Sequence, residues 1–286
     1  MGSPKRYLNL MLLGCCLLFT WYSIRRSDRV NGRKTIPKQN FNTYGLPFRL
    51  SKYNVTGDPV DHIAFIKLPK AGSTTAQNIF LRYGDEKNLT FALPSNPRRG
   101  GGETLTKKFF FPPPRNGNYD ITCAHTKYNR KQFSTVLHKD TKYIGTVREP
   151  FSHFQSSIRF KKPKNIVGIK GENPVLEYLK TELKNRNSIN RYSITCNYMS
   201  DYYLFPRDLF ALDNESELQK HLQKFGNEMD MILVLEYLDE SVVLMRRILN
   251  WDLRHVLYAQ LRVNKEHDPR LKFGPEEAKL HKTVLI

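Results

Sequence analysis

The chain has 286 residues, 40% of them hydrophobic, enough for one large domain with a well-buried core and a poor fit to two. Forty-six Lys and Arg stand against 27 Asp and Glu, and the formal charge of +19 argues against cationic partners and for anionic ones: nucleotide, sulfated or phosphorylated sugar, nucleic acid, or lipid head groups. Four cysteines and eight histidines show no zinc-type spacing, and no internal repeat is apparent.

The first element is Tyr7 to Ile24 (YLNLMLLGCCLLFTWYSI), almost wholly apolar. As a helix rising 1.5 Å per residue it would extend roughly 27 Å, close to the hydrocarbon thickness of a bilayer. No small-x-small cleavage site precedes the basic cluster Arg25, Arg26 and Arg29, so the segment reads as an uncleaved signal anchor following a short cytoplasmic tail, residues 1–6. Basic residues after the span outnumber Lys5 and Arg6 before it, which taken alone favours the opposite orientation. Three Asn-X-Ser/Thr sequons, at Asn54, Asn88 and Asn214, all lie downstream and favour a lumenal body. Cys15 and Cys16 fall within the span, whereas Cys123 and Cys196 could pair in an oxidising lumen.

Residues 25–60 are polar and basic with scattered Gly and Pro, as expected of a stem, and the folded domain is expected over 61–286. Strand-like and helix-like patterns then alternate. His62 to Lys67 (HIAFIK) reads as a strand, and Ser73 to Tyr83 as a helix with Ala76, Ile79, Phe80 and Tyr83 on one face and Gly84 as its C-cap. Lys142 to Val147 is a second strand, with Pro150 opening the next helix, and Met231 to Glu236 is a third. Further helices are expected over Pro174 to Leu183, Glu215 to Phe225 (ended by Gly226) and Ser241 to Leu249. This alternation predicts an α/β fold: a central parallel sheet flanked by helices. Leu93 to Asn118, rich in Pro, Gly and basic residues, is too long for an ordinary connection and marks either an acceptor-binding loop or a disordered one.

Two loops invite an anion. KLPKAGSTT, Lys67 to Thr75, takes a strand through a tight turn into a helix, whose first N–H groups and dipole favour negative charge. Gly72 allows close backbone approach, Ser73, Thr74 and Thr75 add hydroxyls, and Lys70 adds a positive charge. It is not a nucleotide-hydrolase P-loop, because Lys70 precedes Gly72 and no earlier Gly is spaced to match. A plain turn with a serine N-cap is the competing reading. In the second loop, Arg148 ends a strand and Ser156 follows eight residues later in the next helix, so both could meet one phosphate, Arg supplying a planar fork. A surface Arg and a solvated Ser are the alternative. His125, in CAHTKYN after Ile121, is a third candidate, since a transferase acting on a sugar hydroxyl needs a base with a pKa near working pH.

In that order the three elements resemble the membrane-anchored carbohydrate sulfotransferases of the Golgi, most closely the galactose-3-O-sulfotransferases, which include galactosylceramide sulfotransferase. FIKLPKAGSTTAQNIFLR is similar to that family's 5′-phosphosulfate loop, TVREPFSHFQSS to its 3′-phosphate element, and LVLEYLDESVVLMRRILNWDLRHVLY to a late stretch of the same family. The likeness runs patchily from about Asp61 to Val263. It implies a P-loop-like sulfotransferase fold in a single lumenal domain of a type II Golgi membrane protein. It further implies 3′-phosphoadenosine 5′-phosphosulfate as donor, with the 5′ end over Lys70, Ala71, Gly72, Ser73, Thr74 and Thr75 and the 3′-phosphate at Arg148 and Ser156. His125 is then the base that takes the proton from a sugar hydroxyl and Lys70 neutralises the leaving phosphate oxygen, with Lys67 either assisting or purely structural.

The implied acceptor is the 3-hydroxyl of galactose on a glycolipid or glycoprotein glycan, and this chemistry requires no metal. Two departures from the family are visible. Ala71 stands where relatives more often carry Thr, and the likeness leads one to expect a further helical segment with aromatic residues beyond Ile286. A uronic-acid 2-O-sulfotransferase, with a similar donor loop, and a catalytically silent nucleotide- or glycan-binding relative are the alternative readings. Nucleic-acid binding fits the charge but leaves the apolar span and the phosphosulfate loop unexplained.

Overall fold

The computed structural model describes residues 57–95, 105, 110–113, 117–184, 197–206, 215–259 and 269–285. The apolar span, most of the stem, Cys196, the sequons at Asn54 and Asn214 and much of the Leu93 to Asn118 loop lie outside these residues. No helix among the described residues is long and apolar enough to cross a membrane.

The elements follow in chain order as β1 (Ile63–Phe65), α1 (Ser73–Glu86), β2 (Ile121–Thr122), α2 (Arg130–Phe133), β3 (Lys142–Val147), α3 (Pro150–Lys161), α4 (Lys164–Val167) and α5 (Pro174–Lys184). After these come α6 (Tyr198–Tyr202), α7 (Glu215–Glu228), β4 (Met231–Val234), a 3-10 turn at Leu235–Tyr237, α8 (Leu238–Leu249), α9 (Leu253–Val256) and α10 (Pro275–Leu285). The four strands form one sheet in the order β2-β1-β3-β4, and every pairing is parallel. The expected α/β architecture is therefore present. Two of the three expected strands are shorter than their apolar runs; Leu235 and Glu236 belong to the 3-10 turn.

Strand side chains alternate between two cores, as the period of two requires. Ile63, Phe65, Ile144, Met231 and Leu233 face α1 and α8, where they meet Ile79, Phe80, Tyr83, Val242, Met245 and Trp251. On the opposite face Ala64, Ile66, Tyr143 and Ile232 meet Phe133, Tyr202, Tyr203 and Phe225 of α2, α6 and α7. Trp251 is fully buried, stacked 3.7 Å from the Tyr83 ring, and its indole N–H donates to the Val60 carbonyl at 2.9 Å. A third, smaller cluster joins α3, α4 and α5 to the C-terminal segment through Phe154, Ile158, Ile166, Val175, Leu179 and Leu271.

Neither glycine expected to end a helix does so. Gly84 lies inside α1, and a Cβ there would come within 2.3 Å of Phe91 and 2.8 Å of Ile121. Its role is to let the helix approach the sheet edge. Burying Ala76, Ile79, Phe80 and Tyr83, with the larger of these side chains worth about 1.5–3 kcal/mol each, outweighs the roughly 1 kcal/mol helix penalty of one glycine. Helix α7 runs through Gly226 to Glu228, where the Tyr128 hydroxyl donates to Glu228 Oε2 at 2.7 Å and Arg130 Nη1 donates to the Glu228 carbonyl at 3.3 Å. Tertiary partners thus hold a last turn that the local sequence would release.

Cys123 is buried, which pushes its thiol up to about 11, and Cys196, the partner allowed by the sequence, lies outside the described residues. Asn88 is exposed in the turn after α1, with φ 53°, where a glycan would have room.

Candidate active site

In a parallel sheet the chain leaves β1 toward one side and β3 toward the other, and ligands collect in the crevice where that direction switches. Here the switch lies between β1 and β3. Pairing of these strands ends at Phe65–Ile144, with one further bond from Ile66 N to the Ile144 carbonyl at 2.8 Å. Beyond it the strands splay, and the Tyr203 hydroxyl fills the floor of the gap. It accepts from Thr146 N at 2.8 Å and donates to the Thr146 carbonyl at 2.6 Å, replacing the missing neighbour strand. Gly145 makes room, since a Cβ there would lie 2.7 Å from that hydroxyl.

Above this floor runs the Lys67–Thr75 loop. Its four consecutive carbonyls are each tied by a different side chain. His125 Nδ1–H donates to Lys67 at 2.7 Å, Ser73 Oγ to Leu68 at 2.5 Å, His153 Nε2–H to Pro69 at 2.9 Å, and Arg148 Nη1 to Lys70 at 3.0 Å. Lys70 and Gly72 have positive φ, 64° and 66°, whereas Ala71 between them does not. Such alternation of handedness curls successive backbone N–H groups toward one concave side, an anion-binding shape. Helix α1 then starts at Gly72 with no side-chain cap, and Thr75 N donates to the Gly72 carbonyl at 3.0 Å.

The candidate residues divide by where their side chains point. Ala71 is buried in the core, so only its backbone faces the loop, and a Thr hydroxyl is not needed for that. Ser73 is buried with its hydroxyl engaged by Leu68; it shapes the loop, and the expectation that it offers a hydroxyl to a ligand is corrected accordingly. The plain turn with a serine N-cap is also ruled out, because Gly72 is the N-cap residue. Thr75 is buried and Thr74 half-buried. A Cβ at Gly72 would lie 2.3 Å from Leu235 Cδ1, so any side chain there must displace Leu235.

Lys70 Nζ lies 3.9 Å from the centre of the Phe160 ring on α3. Ser156 is one helical turn before Phe160 and shares its face, so Lys70 and Ser156 border the same side of α3. Arg148 is brought to the loop by β3, and α3 is opened by Pro150 and capped by Glu149, whose carboxylate accepts from Phe151 N at 2.9 Å and Ser152 N at 2.6 Å. Burial pulls the Arg148 guanidinium below its ordinary value, against the opposing pull of Glu236 and Glu149. Two buried donors, Arg148 Nε and Arg159 Nε, have no hydrogen-bond acceptor among the described residues. Buried donors of a cation without acceptors are rare in native proteins and suit an anionic ligand.

His125 reaches the site from the segment after β2. Because a carbonyl can only accept, the bond to Lys67 puts a proton on Nδ1 and leaves the lone pair of the neutral ring on Nε2, the tautomer a base requires. Gln77 steadies this segment by donating to the Cys123 carbonyl at 2.8 Å. His153 was not singled out from sequence. It is buried, and desolvation lowers its pKa to about 4, so it holds Pro69 as a neutral donor. The only sequence signal for it was its place between Arg148 and Ser156. A cavity of about 390 Å³ lined by Asn78, Arg82, Leu257, Tyr258 and Ala259 includes none of these side chains and is not this crevice.

The fold and crevice define an α/β protein in which the turn after β1 gathers His125, His153 and Arg148 around the backbone of Lys67 to Lys70. The profile of the galactose-3-O-sulfotransferase family matches residues 4–283, and the chain belongs to that family. Among its relatives, galactose-3-O-sulfotransferase 3 of Bos taurus is 27% identical over 203 residues, 70% of this chain and 47% of its own. Galactose-3-O-sulfotransferase 2 of Homo sapiens is 27% identical over 209 residues, 72% of this chain and 52% of its own. Galactosylceramide sulfotransferase of Mus musculus is 27% identical over 222 residues, 74% of this chain and 51% of its own. The chain thus spans about half the length of the curated relatives it matches. No solved structure matches it.

Proposed function

We propose that this protein is a carbohydrate sulfotransferase that moves sulfate from 3′-phosphoadenosine 5′-phosphosulfate to the 3-hydroxyl of a galactose on a glycolipid or glycoprotein glycan. The observation that carries the reading is the loop with four tethered carbonyls, which joins the histidine, the arginine and the lysine of one crevice in a chain of this family. The donor's 5′-phosphosulfate lies over Lys70 to Thr75, and Arg148 with Ser156 takes the 3′-phosphate.

In the reaction His125 Nε2 accepts the proton of the sugar hydroxyl as that oxygen attacks sulfur in line. The bond from sulfur to the phosphate oxygen breaks, and Lys70 neutralises the charge left there. Holding the loop through its carbonyls means that the N–H groups need no rearrangement as charge develops, the condition under which such donors are most effective. A membrane anchor at residues 7–24, with the domain in the Golgi lumen as the family resemblance implies, would suit an enzyme acting on nascent glycans and glycolipids.

The test is transfer of labelled sulfate by the full chain, in mild detergent, to terminal galactosides, galactosylceramide and glycosaminoglycan chains, with binding of the product nucleotide measured in parallel. Transfer to galactosides alone is expected. Transfer to glycosaminoglycan uronic acids instead would move the chain to a 2-O acceptor, and a folded protein that neither binds nucleotide nor transfers sulfate would overturn the reading.

A further inference from the structure

At the opposite edge of the sheet, the entries to three strands carry a histidine–carboxylate cluster that the transfer chemistry does not use. His62 directly precedes β1, Asp120 directly precedes β2, and His138 and Asp140 lie in the turn that feeds β3. Both histidines turn Nε2 toward one oxygen, Asp120 Oδ1, at 3.5 Å from His62 and 3.0 Å from His138. Ligand atoms of all three residues lie within 4.8 Å of one another. A tetrahedral zinc ion with bonds of about 2.0–2.1 Å sets its ligand atoms about 3.4 Å apart, close to the 3.5 and 3.0 Å from the two histidines to Asp120.

The surroundings orient these groups. Asp120 Oδ2 accepts from Thr90 N at 2.7 Å, which fixes the carboxylate plane and leaves Oδ1 toward the histidines. His62 Nδ1–H donates to Asp140 Oδ1 at 2.8 Å, which places the lone pair of the neutral ring on Nε2. A carboxylate behind a histidine in this way is the usual outer partner of a metal-bound imidazole. The two rings stack 3.8 Å apart at 10°, and aiming both lone pairs at one ion requires them to splay. His138, one third exposed on a turn, has the freedom to do so.

We propose that His62, Asp120 and His138 bind a divalent transition-metal ion, zinc by the chemistry of two imidazoles and a carboxylate, with Asp140 positioning His62 and water completing the tetrahedron. The ligands are 58 and 18 residues apart, so the ion ties three strand entries together and has no site in the unfolded chain. Binding therefore adds to folding stability, and the proton that the neutral His138 ring now carries on Nε2 toward Asp120 moves to Nδ1.

The experiment is calorimetric titration of the chelator-treated full chain, in mild detergent, with zinc chloride, paired with the visible absorption of added cobalt(II). One ion per chain is expected, together with a rise in melting temperature. His62→Ala and His138→Ala should each weaken uptake by more than about 100-fold, and Asp140→Asn by about 10–100-fold, while His221→Ala leaves it unchanged. Melting in chelator, equal for wild type and His138→Ala, separates ligand loss from misfolding. Absence of saturable uptake, or equal affinity in the His62→Ala/His138→Ala double variant, would overturn the proposal.

Discussion

Gly72→Ala perturbs both the backbone and the packing of the Lys67–Thr75 loop. The substitution acts in two ways. With φ at 66°, an alanine meets the left-handed penalty of about 1–2 kcal/mol. Its Cβ would also lie 2.3 Å from Leu235 Cδ1 and 3.4 Å from Leu235 Cγ, so Leu235 or the loop must shift by about 1 Å, at an overpacking cost of about 1–3 kcal/mol. Together these destabilise the protein by about 2–5 kcal/mol, readable in urea unfolding. With the donor bound over this loop as proposed, product-nucleotide affinity should fall as well. Truncating Leu235 to Ala removes the clash and leaves the backbone strain. A double-mutant cycle should therefore show a coupling of about 1 kcal/mol or more between Gly72→Ala and Leu235→Ala. Additive effects would refute the contact across β4, and a Gly72→Ala loss well under 1 kcal/mol would refute the left-handed backbone as well.

Replacing His125 by Ala should lower the rate of sulfate transfer about 10²–10⁴-fold with product-nucleotide binding little changed, as single-turnover and binding assays would show. For Arg148→Lys the expected loss is in donor affinity, since the planar fork that reaches the Lys70 carbonyl is gone while the charge remains; an unchanged affinity would argue against a phosphate contact. Gly84→Ala, stabilising in an ordinary helix, should destabilise here by about 1–3 kcal/mol because of Phe91 and Ile121, and a gain in stability would show that α1 does not press on the sheet edge. Burial lowers His153 from 6.5 to about 4, so between those values the unfolded chain binds more protons than the folded one. Stability from this residue is fully present above about pH 6.5 and is lost as pH falls through about 4, on the order of 3 kcal/mol in all. His153→Gln should flatten the stability slope in that window.

What the amino-acid sequence determined by itself is local. Apolar runs and helical spacing identified three of the four strands and their flanking helices, because period-two and period-3.6 burial leave their pattern in the chain whatever the final packing. Arg148, Ser156 and the Lys67–Thr75 loop were legible because each follows a strand end, the position at which a parallel sheet offers groups to a ligand. The two-residue β2 left no such pattern, being too short to show a period, and it became a strand only by pairing with β1. Gly84 and Gly226 were read as stops because local propensity cannot register the contacts that carry α1 and α7 through them. The tertiary structure alone decided that Ser73 turns inward, that four loop carbonyls are held by His125, Ser73, His153 and Arg148, and that His62, Asp120 and His138 meet at the far edge. Except for the Ser73–Leu68 bond, these contacts join residues 18–84 positions apart in the chain. Their distances depend on strand order and on where the parallel strands splay, quantities that no window of sequence contains.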